Sequence, residues 1–255
     1  MMKPISTKEL DLYKKKNADE TNLEALMPLS IHLNELRNKI IISLSVICIT
    51  TFIGLSYSRE IVKLLTSIAP ADTIFLQIRP GEFFFTSLRV ALFVGIISAS
   101  PIIIWQLGSF ILPGLKKKER NIALPILTGA PFLFFTGVIF AYFFVAPFML
   151  NFLFGFGKDV ISTSISIETL VSFTLMIMAI CGCTFLLPII ILALANVGIV
   201  NSKMLIQKWR YAILASVIFG AILTPTPDPF NMGIVSGILV TLYCVSVGVL
   251  KIIRL

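Results

Sequence analysis

The sequence predicts an all-α polytopic membrane protein with six transmembrane helices and both termini on the cytoplasmic or stromal side. Hydrophobic residues make up 57% of the 255 residues and charged residues 13%, with a mean hydropathy of +0.96. An ordinary soluble domain carries about 25% charged residues. The apolar residues are collected in runs long enough to cross a bilayer as helices. Most basic residues lie in short segments between alternate runs, as in loops on the cytoplasmic side.

The chain begins with residues 1–27, which are polar, charged and poor in aromatic residues. They are predicted to form a disordered cytoplasmic extension. Residues 28–255 are predicted to form a single six-helix transmembrane domain. Its first segment, PLSIHLNELRNK, has leucines on one helical face and predicts a membrane-surface helix leading into the first span. The spans are predicted at about residues 40–57, 83–107, 122–148, 169–195, 211–223 and 232–250.

Two segments between the spans are predicted to be outer loops. The first, from Ser58 to Gly81, contains two prolines and is expected to be structured. The second, NFLFGFGKDVISTSISIE, is rich in glycine and serine. Within span two, Pro101 predicts a kink, because proline removes one helical hydrogen bond.

The fifth apolar run is short for a span, since about 13 residues of helix reach only roughly 20 Å. A re-entrant segment is the alternative, and it would move the C-terminus to the other side of the membrane. With six spans, the basic residues on the outer side, out of 21 in total, are Arg59, Lys63, Arg79, Arg89 and Lys158. This bias would weaken if Lys251 and Arg254 also lay outside, so charge favours six spans. Short fifth and sixth helices then imply a locally thinned bilayer or deep access of water.

The spans lack the side chains that enzymes and ion-coupled transporters place near mid-membrane. The single histidine precedes the first span, and the acids around the spans fall in outer loops or at span ends: Glu60, Asp72, Glu82, Asp159, Glu168 and Asp228. No two of them have the spacing of metal ligands or of an acid/base pair on a predicted helix. The four cysteines lie in apolar runs and are interpreted as small buried residues. We therefore predict no enzymatic activity, no metal and no cofactor.

Four segments, in order along the chain, carry a specific resemblance. They are HLNELR (32–37), QLGSFILPGLKKKER (106–120), FLLP (185–188) and LTPTPDP (223–229). Over about residues 28–250 the chain resembles the TatC family, the receptor subunits of the twin-arginine protein translocase, and within it the cyanobacterial and plastid branch. The resemblance implies a glove-shaped six-helix protein that binds twin-arginine signal peptides of folded precursor proteins on its cytoplasmic or stromal face.

The same resemblance implies that the chain nucleates a translocation complex driven by the proton gradient. The implied partners are single-span subunits of the TatA and TatB type, signal peptides of folded cargo and membrane lipids, with self-association as a further option and no nucleic acid. The implied location is a plastid thylakoid membrane or a bacterial inner membrane. From another functional class, a small-solute or ion transporter is the alternative. It would need a polar pathway through the bundle, which the spans do not offer.

The resemblance also assigns residues. In this family the acid of the HL-x-EL-R motif and the acid of the first inner loop form the twin-arginine site, and these map by motif to Glu35 and Glu119. Carboxylates bind guanidinium groups well in bidentate geometry, which agrees with this role. The supporting positions implied by the same motifs are His32, Leu36, Arg37, Phe110, Pro113, Arg120 and Asp228.

Partner docking is implied at Thr184 and Leu186. Several family members have glutamate or glutamine where this chain has Leu186, so the substitution removes the one intramembrane polar group available for binding partner helices. Thr184 and Gln207 are the candidates to compensate.

Each assigned residue also has a simpler interpretation. Glu35 pairs with Lys39 one helical turn on, a contact worth a few tenths of a kcal/mol. Glu119 is a solvated loop charge within a basic cluster that anchors topology or binds anionic lipid. Four cations beside Glu119 would weaken binding of an arginine pair unless the loop separates them. Asp228 is a helix cap for span six.

Overall fold

The structure is a computed structural model that describes residues 29–70, 73–111, 117–156, 164–224 and 228–253. Within these ranges the side chains of residues 29–33, 111, 117–123, 126 and 253 are not described. The predicted extension at residues 1–27 lies outside the described residues and stays a prediction. The chain divides into two compact units, and the division falls inside the first helix, between Leu44 and Ser45.

Helices make up most of the described chain. A π-helical turn, Ala141–Val145, joins the third helix to the fourth. In chain order the helices are α1 (Leu29–Thr66), α2 (Glu82–Ile111), α3 (Lys117–Phe140), α4 (Ala146–Gly155), α5 (Ile167–Thr184), α6 (Leu187–Asn196), α7 (Ser202–Gln207), α8 (Trp209–Leu223) and α9 (Pro229–Ile253).

Each predicted span falls on helical structure. Five stretches within the described residues are long and apolar enough to cross a membrane: Asn34–Thr66, Glu82–Phe110, Leu127–Gly155, Ile167–Asn196 and Pro229–Ile252. The sixth apolar helix, α8, has 15 residues, which is about 22 Å at 1.5 Å per residue. The prediction that the fifth span is short is therefore confirmed. The sixth span was predicted to be short as well, and this is wrong, because α9 has 25 residues and is long enough to cross a membrane.

The boundary predicted for the first outer loop is wrong. The sequence places Ser58 at the start of this loop, but α1 continues to Thr66. The additional turns bury Val62 and Leu65 in a cluster with residues of α2 and α5. The predicted surface helix is likewise continuous with the first span in α1. Burial of apolar side chains in the folded state stabilises helical turns that hydropathy alone does not indicate.

A two-stranded parallel sheet, which the sequence did not predict, joins the two outer loops. Strand β1 (Ile74–Leu76) pairs with strand β2 (Ser164–Ser166), with Phe75 opposite Ile165. The pairing places the end of α1 and the beginnings of α2 and α5 at the same end of the bundle, which we call the strand-bearing end.

The centre of the bundle is formed by the third span and α5. Their buried residues pack with two residues of α9 in one cluster: Ala141, Val145, Met149, Ile177, Ile180, Cys181, Val235 and Leu239. At the crossing of α3 and α5, a Cβ atom on Gly137 would lie 2.7 Å from the carbonyl oxygen of Cys181. Glycine at this position therefore sets how closely the two backbones approach.

Span four, predicted as one helix, is interrupted between α5 and α6 at Phe185 and Leu186. The amide of Leu186 donates to the carbonyl of Cys183, three residues back, at 3.1 Å. Pro188 follows in the first turn of α6, where a proline loses no helical hydrogen bond. By contrast, α2 continues through Pro101 without a break.

Candidate functional site

Glu35 lies in α1 and forms the ion pair that the simpler interpretation predicts. The Nζ atom of Lys39 is 2.7 Å from Oε1 of Glu35, and the Glu35 side chain remains 42% exposed. Leu36 is half-buried and Arg37 is exposed. The carboxylate is thus accessible and is held by a helical pair of the kind that contributes only a few tenths of a kcal/mol.

The other residues assigned to the twin-arginine site are described only in part. Glu119 and Arg120 lie in the first turns of α3, and their side chains, like that of His32, are not described. Pro113 lies outside the described residues. Phe110, near the end of α2, is half-buried. The combined geometry of Glu35 and Glu119 therefore stays a prediction.

The residues assigned to partner docking lie at the break between α5 and α6. The hydroxyl of Thr184 is buried and donates to the carbonyl oxygen of Ile180 at 2.7 Å. Leu186 is half-buried, and its carbonyl accepts from the amide of Ile190 at 3.0 Å. Gln207 ends α7 and is exposed. Because Thr184 uses its hydroxyl proton within its own helix, it offers a partner only an acceptor oxygen.

Asp228 caps the last helix, as its simpler interpretation predicts. Its Oδ2 atom accepts a hydrogen bond from the backbone amide of Asn231 at 2.8 Å. The side-chain amide of Asn231 donates to Oδ1 at 3.0 Å. Asp228 thereby satisfies a backbone donor that the first turn of α9 would otherwise leave unpaired.

Sequence interpretation missed a polar cluster at the strand-bearing end, centred on Glu82. This residue begins α2 and is 3% exposed. Its Oε2 atom accepts from the amides of Ile78 at 2.8 Å and Arg79 at 3.1 Å. Its Oε1 atom accepts from the hydroxyl of Ser166 at 2.6 Å and the amide of Glu168 at 3.2 Å. A carboxylate has about four acceptor positions, so Glu82 is suited to anchoring the loops rather than to acid/base chemistry.

Arg89 completes the cluster. Its Nη2 atom lies 3.2 Å from Oε1 of Glu168, and its Nη1 atom donates to the hydroxyl of Ser172. The side chains of Arg89 and Glu168 are 47% and 30% exposed. From the sequence, Glu82, Arg89 and Glu168 were recognised only as charged residues near span ends. One local signal was available, because Ser166 is a residue type that favours helix N-caps, and it caps α5 by accepting from the amide of Thr169.

Comparison with known proteins decides the family. The model of the family described as Sec-independent protein translocase protein (TatC) matches residues 31–237. The chain belongs to the TatC family. It is similar to the Sec-independent protein translocase protein TatC of Synechocystis sp., with 37% identity over 236 residues and coverage of 92% of each chain. It is also 34% identical over 222 residues to the chloroplastic TATC protein of Oryza sativa, covering 87% of this chain and 62% of that protein.

A solved structure of a TatC protein agrees with the fold. The crystal structure of the twin arginine translocase receptor TatC in DDM superposes with a TM-score of 0.77 at 30% identity, over 86% of this chain and 99% of that chain. An uncharacterized TatC-like protein of the red alga Porphyra purpurea is 39% identical over 242 residues, covering 93% of this chain and 94% of that protein. The resemblance and the fold class predicted from sequence are thus confirmed.

Membership of the TatC family establishes the general role of the chain. It is a multi-pass integral membrane protein with the six-helix bundle of TatC, and it is a subunit of a Sec-independent protein translocase. It is a transport component and not an enzyme, and it works within a Tat translocase complex. Among the described residues, no group of three or more histidine, cysteine, aspartate and glutamate side chains is placed to hold a metal ion.

Proposed function

We propose that this TatC chain is the receptor for twin-arginine signal peptides of folded precursor proteins, and that Glu35 and Glu119 bind the arginine pair. The observation that carries the proposal is the environment of Glu35. Its side chain is 42% exposed, and its carboxylate is paired with Lys39 on the same helix. An anchoring carboxylate such as Glu82, in contrast, is buried and fully hydrogen-bonded.

Typical interaction energies favour replacement of Lys39 by an arginine of the signal peptide as the partner of Glu35. A lysine one helical turn away contributes about 0.2–0.5 kcal/mol. A bidentate arginine–carboxylate pair at a partly exposed site contributes up to about 1 kcal/mol, and more where the bound peptide excludes water. A guanidinium group that binds Glu35 in bidentate geometry therefore gains more than the loss of Lys39 costs.

The test is the preference for an Arg-Arg over a Lys-Lys signal peptide, measured by binding to the purified protein in nanodiscs. We expect wild type to prefer Arg-Arg, and Glu35→Ala or Glu119→Ala to reduce this preference about tenfold, since lysine cannot form the bidentate pair. Glu60→Ala is the matched control, because it removes an exposed acid from the same helix. If neither Glu35→Ala nor Glu119→Ala changes the preference, the site assignment is wrong.

A second variant tests the role of Lys39. Lys39→Gln removes the helical partner of Glu35 and leaves the carboxylate in place. We expect it to strengthen binding of the Arg-Arg peptide by about twofold, the equivalent of a few tenths of a kcal/mol. Weaker binding would show that Lys39 positions Glu35 for the ligand, which contradicts the proposed exchange.

The proposal includes the orientation of the protein and its partners. Both termini lie on the cytoplasmic or stromal side, residues 28–255 form one transmembrane domain, and the host membrane is a thylakoid or bacterial inner membrane. Single-span subunits of the TatA and TatB type assemble with the chain, and the proton gradient drives transport. In a background without other cysteines, a cysteine placed beside Asp228 should react only with reagent added from the outer side, and labelling from the inner side would refute this topology.

A further inference from the structure

A cavity of about 540 Å³ opens at the strand-bearing end, beside the polar cluster around Glu82. Its wall is formed by the segment that follows β1 and by one face of α5. The lining residues that bear on a ligand are Arg79, Glu82, Glu168, Ser172, Phe173 and Met176. Glu35 does not line this cavity. The family assignment does not depend on it either.

The charged side chains around the cavity are not all neutralised by other groups of the protein. Glu82 accepts four hydrogen bonds, including one from the first turn of α5. It also begins α2, and the N-terminus of each helix carries a partial positive charge of roughly half a unit. Glu168 is neutralised by Arg89 at 3.2 Å. The exposed Arg79 side chain has no hydrogen-bond or ion-pair partner in the described part of the chain, so the cavity presents one available cation.

The lining changes from polar to apolar along α5. Glu168, Ser172 and Met176 are spaced four residues apart and therefore lie on one face of the helix. From Glu168 to Met176 the face extends about 12 Å from the helix end into the span, at 1.5 Å per residue. Phe173 adds a second apolar side chain beside Met176. A charged group at the helix end with an apolar wall toward mid-membrane matches an amphiphile.

We propose that this cavity binds an anionic lipid of the adjacent leaflet. The headgroup phosphate or sulfonate binds the guanidinium of Arg79, and the first part of an acyl chain packs along Phe173 and Met176. The volume supports a lipid headgroup, because it falls in the range of about 300–1,000 Å³ typical of small-molecule sites. A transmembrane helix about 10 Å wide and 30 Å long would need roughly 2,000 Å³.

The test uses phosphatidylglycerol with a photoactivatable acyl chain, in nanodiscs that contain the full-length protein. The readout is the amount of lipid crosslinked to α5, residues 167–184, at a lipid concentration below saturation. We expect Arg79→Gln to reduce this crosslinking about tenfold, as for the loss of a charged hydrogen bond. Arg59→Gln is the matched control, because it removes an exposed outer arginine that does not line the cavity, and it should change the yield less than twofold.

Competition distinguishes the source of the anion. We expect unlabelled phosphatidylglycerol to suppress the crosslink and an equal amount of phosphatidylcholine to have little effect. Equal yields from Arg79→Gln and Arg59→Gln would overturn the proposal. Equal competition by phosphatidylcholine would refute the preference for an anionic headgroup. Displacement by millimolar inorganic phosphate would show a site for soluble anions and not for lipid.

Discussion

Replacing Gly95 with alanine tests how closely α1 and α2 pack. A Cβ atom at this position would lie 2.8 Å from the backbone nitrogen and 2.9 Å from the Cα atom of Thr51, where ordinary contacts are 3.4–4 Å. The single hydroxyl proton of Thr50 is shared between the carbonyl oxygen of Gly95 at 2.9 Å and that of Val46, in its own helix, at 2.8 Å. Because the clash involves backbone atoms, rotation of a side chain cannot relieve it. The two helices must separate by roughly 0.5 Å or distort.

Three effects set the magnitude. Overpacking of a close contact costs about 1–3 kcal/mol, and loss of an interhelical hydrogen bond in a membrane protein costs about 0.6 kcal/mol. Alanine in a helix interior is favoured over glycine by about 1 kcal/mol. The net expectation for Gly95→Ala is a loss of about 1–2 kcal/mol in the free energy of unfolding.

Gly129→Ala is the matched control, because a Cβ atom added there meets no atom within 4 Å in the described part of the chain, its own helix backbone apart. Only the gain in helix propensity applies, so this variant should equal or exceed wild type by up to about 1 kcal/mol. The two variants should differ by about 2 kcal/mol, or about 4–8 °C in unfolding midpoint for a chain of this size. The midpoint is measured in mild detergent by tryptophan fluorescence. A Gly95→Ala midpoint equal to or above that of Gly129→Ala would refute the close approach.

Three further experiments test local interactions. Asp228→Ala should destabilise the protein by about 1 kcal/mol in the same unfolding assay, because the cap of α9 is lost. Asp228→Asn can still cap the helix and should stay near wild type, so equal midpoints for the two variants would contradict the cap. Glu82→Gln replaces one acceptor oxygen by a donor, so proteolysis between α1 and α2 should be faster than in the Glu60→Gln control, and unchanged cleavage would contradict the anchor. Arg89 and Glu168 are partly exposed, so a double-mutant cycle should give a coupling free energy below about 1 kcal/mol. The coupling should fall further in high salt, and a value above about 2 kcal/mol would contradict this expectation.

The spans could be predicted from the sequence because they depend on a property of each segment alone, the transfer of apolar residues from water to lipid. The helix ends could not. Val62 and Leu65 extend α1 beyond the hydropathy signal because they are buried by residues of α2 and α5. The interruption at Phe185 and Leu186 was missed for a related reason, since the residues around it are apolar and hydropathy does not distinguish one helix from two.

The candidate site, like the helix ends, could be predicted only in part from the sequence. The motif that contains Glu35 is contiguous, so the resemblance could assign this residue directly. The contact between Glu82 and Ser166 joins positions 84 residues apart, and neither residue stands in a motif. It arises only when β1 and β2 pair and bring the beginnings of α2 and α5 together. The pairing of these two residues follows from tertiary structure, and the N-cap pattern at Ser166 does not indicate which carboxylate it meets.

The proposed binding role of Glu35 and the anchoring role of Glu82 rest on different environments of the same side chain. Glu82 is buried with four donors around its two oxygens, so an incoming arginine would have to break hydrogen bonds that hold the loops. Glu35 is partly exposed and paired with a lysine on its own helix, so an arginine that bound it would displace only a weak contact. A stable protein with a reduced Arg-Arg preference is therefore expected from Glu35→Ala. The opposite result, lower stability with the preference intact, is expected from Glu82→Gln, and an exchange of these two outcomes would refute the assignment of both residues.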